Sequence, residues 1–171
     1  MKGYVHVYTG DGKGKTTASL GLCVRAVGAG KRVLLVQFLK KGEFSEIKGL
    51  KYFGDRVDVM QFGSGRFVRG RPDKSDVELA SRGLLRARKL MESGRYHLVI
   101  LDEINVAVNM GLLDVADVLQ VIRNRPDDVE IVLTGRYAPD AFVEAADLVT
   151  ECRMVKHYFQ KGVRAREGIE K

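Results

Sequence analysis

The sequence contains no tryptophan and only two cysteines, three prolines and three histidines in 171 residues. Cys23 and Cys152 lie far apart, with no CxxC or Cys/His pattern around them. That excludes a disulfide scaffold and a structural zinc site, and it fits a reducing compartment. Apolar runs are short, of the Val33-Leu34-Leu35-Val36 type, far below the roughly 18 residues of a membrane span. Structured-looking sequence from Tyr4 leaves no room for a secretory signal, so the expected location is cytoplasmic. His6, His97 and His157 have no carboxylate or serine partner at motif spacing, and no serine or cysteine sits in a nucleophile-elbow context. If the chain makes or breaks a covalent bond, the nucleophile is expected from the substrate.

What is present is enough for a packed core: 45% of residues are hydrophobic and 30% charged, which excludes wholesale disorder. The net charge of +7 is unevenly spread, with a basic front and tail around an acidic middle. This suits an anionic partner, polyphosphate or nucleic acid, although charge that merely confers solubility would look similar. There are no repeats or low-complexity tracts, so one domain over residues 1–171 is expected, with 156–171 as a C-terminal tail.

Tyr4-Val5-His6-Val7-Tyr8 predicts a strand, the glycine-rich segment 9–17 a loop, and residues 15–29 a helix buried against a sheet. Residues 32–38 follow as a fully buried strand. Strands are also predicted at 57–62, 97–101, 130–134 and 148–152, and helices at 76–92, 114–123 and 140–146. Segment 40–73 shows little pattern apart from its strand, and 63–72 reads as a basic loop. The alternation predicts an α/β fold of three layers with a mostly parallel sheet.

Gly14-Lys15-Thr16 fits the second half of the phosphate-loop pattern G-x-x-x-x-G-K-[ST], whose backbone N–H groups and lysine cradle phosphates. The first glycine is displaced: Thr9 stands where it should, and Gly10 follows, so the loop is one residue short. Gly10, Gly12 and Gly14 still allow close backbone approach. A plain glycine turn is the alternative, but a preceding strand and a following buried helix favour a bound polyphosphate. In that reading Lys15 neutralises phosphate oxygens and the Thr16 hydroxyl binds Mg²⁺. Leu98-Val99-Ile100-Leu101-Asp102-Glu103 is the companion acidic motif. Asp102 is expected near Mg²⁺, and Glu103 at the metal or as a base, unless the two only cap the next turn. Arg136, after the strand ending in Thr134, is either a phosphate contact or an ordinary surface arginine.

With these motifs the chain resembles the P-loop corrinoid adenosyltransferases, the ATP:cob(I)alamin type, over nearly its full length. The resemblance rests on the shortened loop 10–17, on Val36-Gln37-Phe38-Leu39-Lys40, and on Val99-Ile100-Leu101-Asp102-Glu103-Ile104. It continues through Leu133-Thr134-Gly135-Arg136, Ala145-Ala146-Asp147-Leu148-Val149-Thr150-Glu151 and Val155-Lys156-His157 to the tail Gly162-Val163-Arg164-Ala165-Arg166-Glu167-Gly168-Ile169. It implies a RecA-like P-loop fold and transfer of the 5′-deoxyadenosyl group of ATP to cobalt(I) of a corrinoid, with release of triphosphate. ATP is then the cosubstrate and the reduced corrinoid the acceptor. Gly10, Asp11, Gly12, Lys13, Gly14, Lys15, Thr16, Thr17 and Arg136 are the expected ATP contacts, and Lys15 and Glu103 the catalytic residues. Thr16, Asp102 and Glu103 are the expected contacts of Mg²⁺ or Mn²⁺. The resemblance also implies a homodimer, and a flavin-dependent reductase is the expected electron donor. The short apolar runs and the missing aromatic-interleaved basic stripe lead to neither a membrane nor a nucleic acid as expected partner. Longer members carry an N-terminal segment and some carry a tryptophan near 63–72. Here Phe67 is the nearest aromatic substitute, and with Arg66 and Arg69 it is assigned to the corrinoid. An ATP-hydrolysing protein acting on nucleic acid and a non-enzymatic nucleotide-binding module are the alternatives.

Overall fold

A computed structural model describes residues 2–65 and 72–171. Among these residues, six strands form one sheet: β1 (Val5–Thr9), β2 (Val33–Phe38), β3 (Val57–Phe62), β4 (Leu98–Asp102), β5 (Glu130–Thr134) and β6 (Leu148–Glu151). Their order is β3-β2-β4-β5-β1-β6, and every pairing is parallel. The sheet expected to be mostly parallel is therefore wholly so.

Parallel strands need crossovers that cover both faces, so the central strands are apolar on both sides. All six residues of β2 and all five of β4 are buried. One face packs Val7, Leu34, Val36, Val99, Leu101, Ile131 and Leu133 against α3 (Lys74–Met91), α4 (Ile104–Asn109), α5 (Val115–Arg123) and α6 (Asp140–Ala145). The other packs Val33, Leu35, Leu98, Ile100 and Val132 against α1 (Lys15–Gly28), with Leu50 of α2 (Ser45–Leu50). Three layers result, as the alternation of elements predicts. No helix is long and apolar enough to cross a membrane among the described residues.

The weakly patterned segment 40–73 holds α2 and a 3₁₀ stretch, Lys51–Arg56, before β3. α4, which the sequence did not announce, begins directly after Glu103. The tail does not hang free. After a 3₁₀ turn at Tyr158–Lys161 it returns to α2, where Ser45 Oγ donates to the Lys171 carbonyl at 2.8 Å.

Candidate active site

Parallel topology gathers the carboxyl ends of the strands at one edge, where α/β proteins bind ligands. A cleft of about 970 Å³ opens there, the size of a pocket for a large small-molecule ligand. Its walls come from the loop after β1, the segments after β2, β4 and β5, and the end of the tail.

The loop is held open from behind. Gly12 N–H donates to the Cys152 carbonyl at 2.7 Å, and Asp11 accepts from Met154 N–H at 3.2 Å. A Cβ on Gly12 would lie 2.7 Å from that carbonyl, and one on Gly10 would lie 2.5 Å from it, so both positions need glycine for close approach to the chain after β6. Gly14, at φ 122°, precedes α1 with no side-chain cap and no acid in the first turn. The first N–H groups of a 14-residue helix and its positive dipole end are thus left for an anion. Lys15 is buried, and its Nζ donates to the carbonyls of Gly12 at 2.6 Å and Gly10 at 2.7 Å. Burial, and then Arg136 nearby, hold its ammonium below the usual lysine range.

Asp102 is wholly buried and fully engaged. Oδ1 accepts from the hydroxyls of Thr16 at 2.9 Å and Thr134 at 2.7 Å. Oδ2 accepts from Lys40 Nζ at 2.8 Å and Gln37 Nε2 at 3.1 Å. Asp102, expected at a metal, does not line the cleft: both of its oxygens are engaged by these four donors. The Thr16 hydroxyl spends its proton on Asp102 and keeps its lone pairs. Glu103 does line the cleft. Its backbone is left-handed at φ 62°, held by Glu103 N–H donating to Thr134 Oγ at 3.1 Å. Burial, and then the neighbouring Asp102, push its carboxyl above the usual range, opposed by Lys40, Lys15 and Arg136.

Of the expected ATP contacts, Gly12, Lys13, Gly14, Lys15, Thr16, Thr17 and Arg136 come together around the cleft. Gly10 and Asp11 do not line it. They brace the loop, Gly10 through its carbonyl to Lys15 and Asp11 through Met154. Phe67, Arg66 and Arg69 lie outside the described residues.

Several cleft residues escaped the motif reading. Lys40 follows β2, and its Nζ lies 3.9 Å from Glu46 of α2. Burial works against its charge, but Asp102, then Glu103 and Glu46, lift the ammonium above the usual lysine range. The tail supplies residues 168–171. Lys13 Nζ donates to the Ile169 carbonyl at 2.5 Å and lies 3.6 Å from Glu170. His157 lines the cleft while accepting from Phe159 N–H at 3.0 Å. The other two histidines have partners far in sequence: His6 Nε2 lies 2.6 Å from Glu130, and His97 Nδ1 accepts from Arg32 N–H at 3.3 Å.

The family model for the ATP:corrinoid adenosyltransferase BtuR/CobO/CobP matches residues 1–170. The chain belongs to this family. It is 37% identical to a corrinoid adenosyltransferase of Sinorhizobium sp, over 99% of this chain and 80% of that protein. Identity to the corrinoid adenosyltransferase of Escherichia coli strain K12 is 36%, over 99% of this chain and 86% of the relative. To that of Pseudomonas aeruginosa it is 35%, over 99% and 84%. This family membership gives no support to the nucleic-acid alternative.

Proposed function

We propose that this chain transfers the 5′-deoxyadenosyl group of ATP to cobalt(I) of a corrinoid, releasing triphosphate, as a step in making or salvaging the adenosylated corrinoid. The lone pair of cobalt(I) attacks C5′, the C5′–O5′ bond breaks, and its electron pair leaves on the triphosphate. The observation that carries the reading is the shortened loop with its uncapped α1 N-terminus and buried Lys15, all turned toward one cleft. These groups bind a triphosphate and stabilise the charge that grows on it as it leaves.

No protein nucleophile is required. Ser45 Oγ donates to Lys171 O, and His157 Nδ1 accepts from Phe159 N–H. A divalent cation fits the donor set in a limited way. Thr16, with its lone pairs free, and Glu103 would hold Mg²⁺, with phosphate and water oxygens completing the shell. When bound, the ion neutralises phosphate charge. Asp102 acts behind Thr16, and Glu103 would serve the ion as a carboxylate ligand rather than act on water as a base.

The corrinoid contacts are assigned to Phe67, Arg66 and Arg69 on sequence. The reading includes a cytoplasmic homodimer that receives its corrinoid reduced, the electron coming from a separate flavin-dependent reductase. Incubation with ATP, Mg²⁺ and chemically reduced corrinoid tests the reaction. Absorbance should report the cobalt–carbon bond, with stoichiometric triphosphate. Orthophosphate and ADP as the products would overturn it.

A further inference from the structure

One level of the buried sheet is polar across four adjacent strands. Gln37 on β2 is the register partner of Asp102 on β4 and of Gln61 on β3, and Thr134 on β5 bonds to the same Asp102. Two residues earlier on the same face, these strands carry Leu35, Ile100, Val59 and Val132, all in or against the core. Polar groups at such depth are tolerated only when paired, and these are. Gln37 Nε2 donates to Asp102 at 3.1 Å, and Gln37 Oε1 accepts from Gln61 Nε2 at 2.9 Å. Gln61 then brackets Gly42, accepting from its N–H and donating to its carbonyl, both at 3.0 Å.

This row fixes the short segment that carries Lys40. Leu39 is left-handed at φ 61°, and its N–H donates to the Phe62 carbonyl at 3.2 Å. Among the described residues, only Leu39, Glu103 and Tyr137 combine a side chain with positive φ. They follow β2, β4 and β5, three neighbouring strands, at the edge that forms the cleft. Backbone strain of this kind persists where surrounding contacts impose it, and it concentrates at functional sites.

Pairing with Asp102 engages only part of Lys40: Asp102 takes one ammonium hydrogen beside two hydroxyls and an amide. Lys40 also lines the cleft, with its side chain 22% exposed. An ammonium has three donors, and one goes to Asp102. Glu46, at 3.9 Å, is beyond hydrogen-bond reach.

We propose that Lys40 is a polyphosphate-binding residue of the cleft that Lys15 also lines, and that Asp102, Gln37 and Gln61 are the residues that position it. Asp102 thereby holds Thr16 on one oxygen and Lys40 on the other. The proposal rests on the adenosyl-transfer reading only for the identity of the ligand.

Inorganic tripolyphosphate, titrated calorimetrically with Mg²⁺, tests it without the corrinoid reaction. Lys40→Met should weaken binding about tenfold or more, as expected for a lost charged hydrogen bond, and Lys40→Arg should stay within a few fold of wild type. Because Lys40→Met leaves Asp102 uncompensated, the double variant Lys40→Met with Asp102→Asn is measured alongside. It should recover stability but not affinity. Gln61→Leu, which keeps the charge and releases Gly42, should weaken binding several fold, with the thermal transition still cooperative. Wild-type affinity in a folded Lys40→Met or double variant would overturn the assignment, as would a wild type that does not bind tripolyphosphate. Failure to form the cobalt–carbon bond while these affinities behave as stated would overturn the reaction and leave the Lys40 site standing.

Discussion

The Lys15 ammonium donates to the carbonyl of Gly12, three residues back, at 2.6 Å. With Gly10 as a second acceptor at 2.7 Å, the loop closes on the cation that a polyphosphate would claim. Lys15 is thus positioned before any ligand arrives, and binding exchanges two neutral acceptors for charged ones.

Lys15→Ala should lower ATP affinity tens- to hundreds-fold, since a charged hydrogen bond to a buried anion contributes about 2–3 kcal/mol. Equilibrium binding of ATP checks this. A variant that keeps more than half of wild-type transfer at low ATP would contradict the role given to Lys15.

Glu103 yields a pH prediction. Burial, and then Asp102, raise its carboxyl above the ordinary 4.5. Between 4.5 and the raised value the native state holds a proton that the unfolded chain has lost, so unfolding free energy falls as pH rises through that interval. Glu103→Gln removes this fall. Without ATP or a divalent cation, the variant should be more stable than wild type at neutral pH, with the gap closing in acid. With both present it should transfer adenosyl more slowly and show weaker metal dependence. Parallel stability–pH curves for variant and wild type would contradict the assignment.

The two glycines of the loop separate two effects. At Gly12 a Cβ would lie 2.7 Å from the backbone of Cys152 and Arg153, whereas at Gly14 nothing lies within 4 Å and only φ of 122° resists substitution. Gly12→Ala should push the chain after β6 away from the loop, at a cost of about 1–3 kcal/mol for overpacking. Gly14→Ala should instead act mainly at the first turn of α1, lowering ATP affinity. Urea unfolding and ATP binding of the two variants check the division. Equal effects of both on stability would contradict it.

Much of this site could be read along the chain, for identifiable reasons. Apolar runs such as Val33-Leu34-Leu35-Val36 are long enough to mark a strand buried on both faces, and a Gly-Lys-Thr at a helix start has few other uses. α4 was hidden because Ile104–Asn109 spans only six residues, with no glycine or proline between it and β4. The break is the left-handed Glu103, a conformation its residue type does not announce. α2 spans six residues, too few to show a helical period. The polar row was present as a signal, a hydrophilic residue replacing the apolar one at the end of four strands, but it acquires meaning only when register aligns Gln37 with Asp102 and Gln61. The tail carries no core residue. It returns to the cleft through polar contacts to Lys13 and Ser45, which composition does not encode.

Thr134 gives the most direct test of how the acidic turn is held. It is wholly buried, its hydroxyl donates to Asp102 at 2.7 Å, and the same oxygen accepts from Glu103 N–H at 3.1 Å. Thr134→Val keeps the shape and deletes both bonds, leaving a backbone N–H without its partner and Asp102 with one donor fewer. The expected loss is about 1–3 kcal/mol, the cost of an unsatisfied buried polar group. Transfer should fall as well, because the left-handed turn that aims Glu103 into the cleft loses its support. Thr134→Ser returns the hydroxyl at the price of one methyl and should recover most of the activity, although the small cavity leaves stability below wild type. Urea unfolding with kcat and KM for all three proteins decides the matter. A valine variant with normal stability and rate would mean that strand packing alone fixes Glu103, and that the Thr134 hydroxyl is incidental.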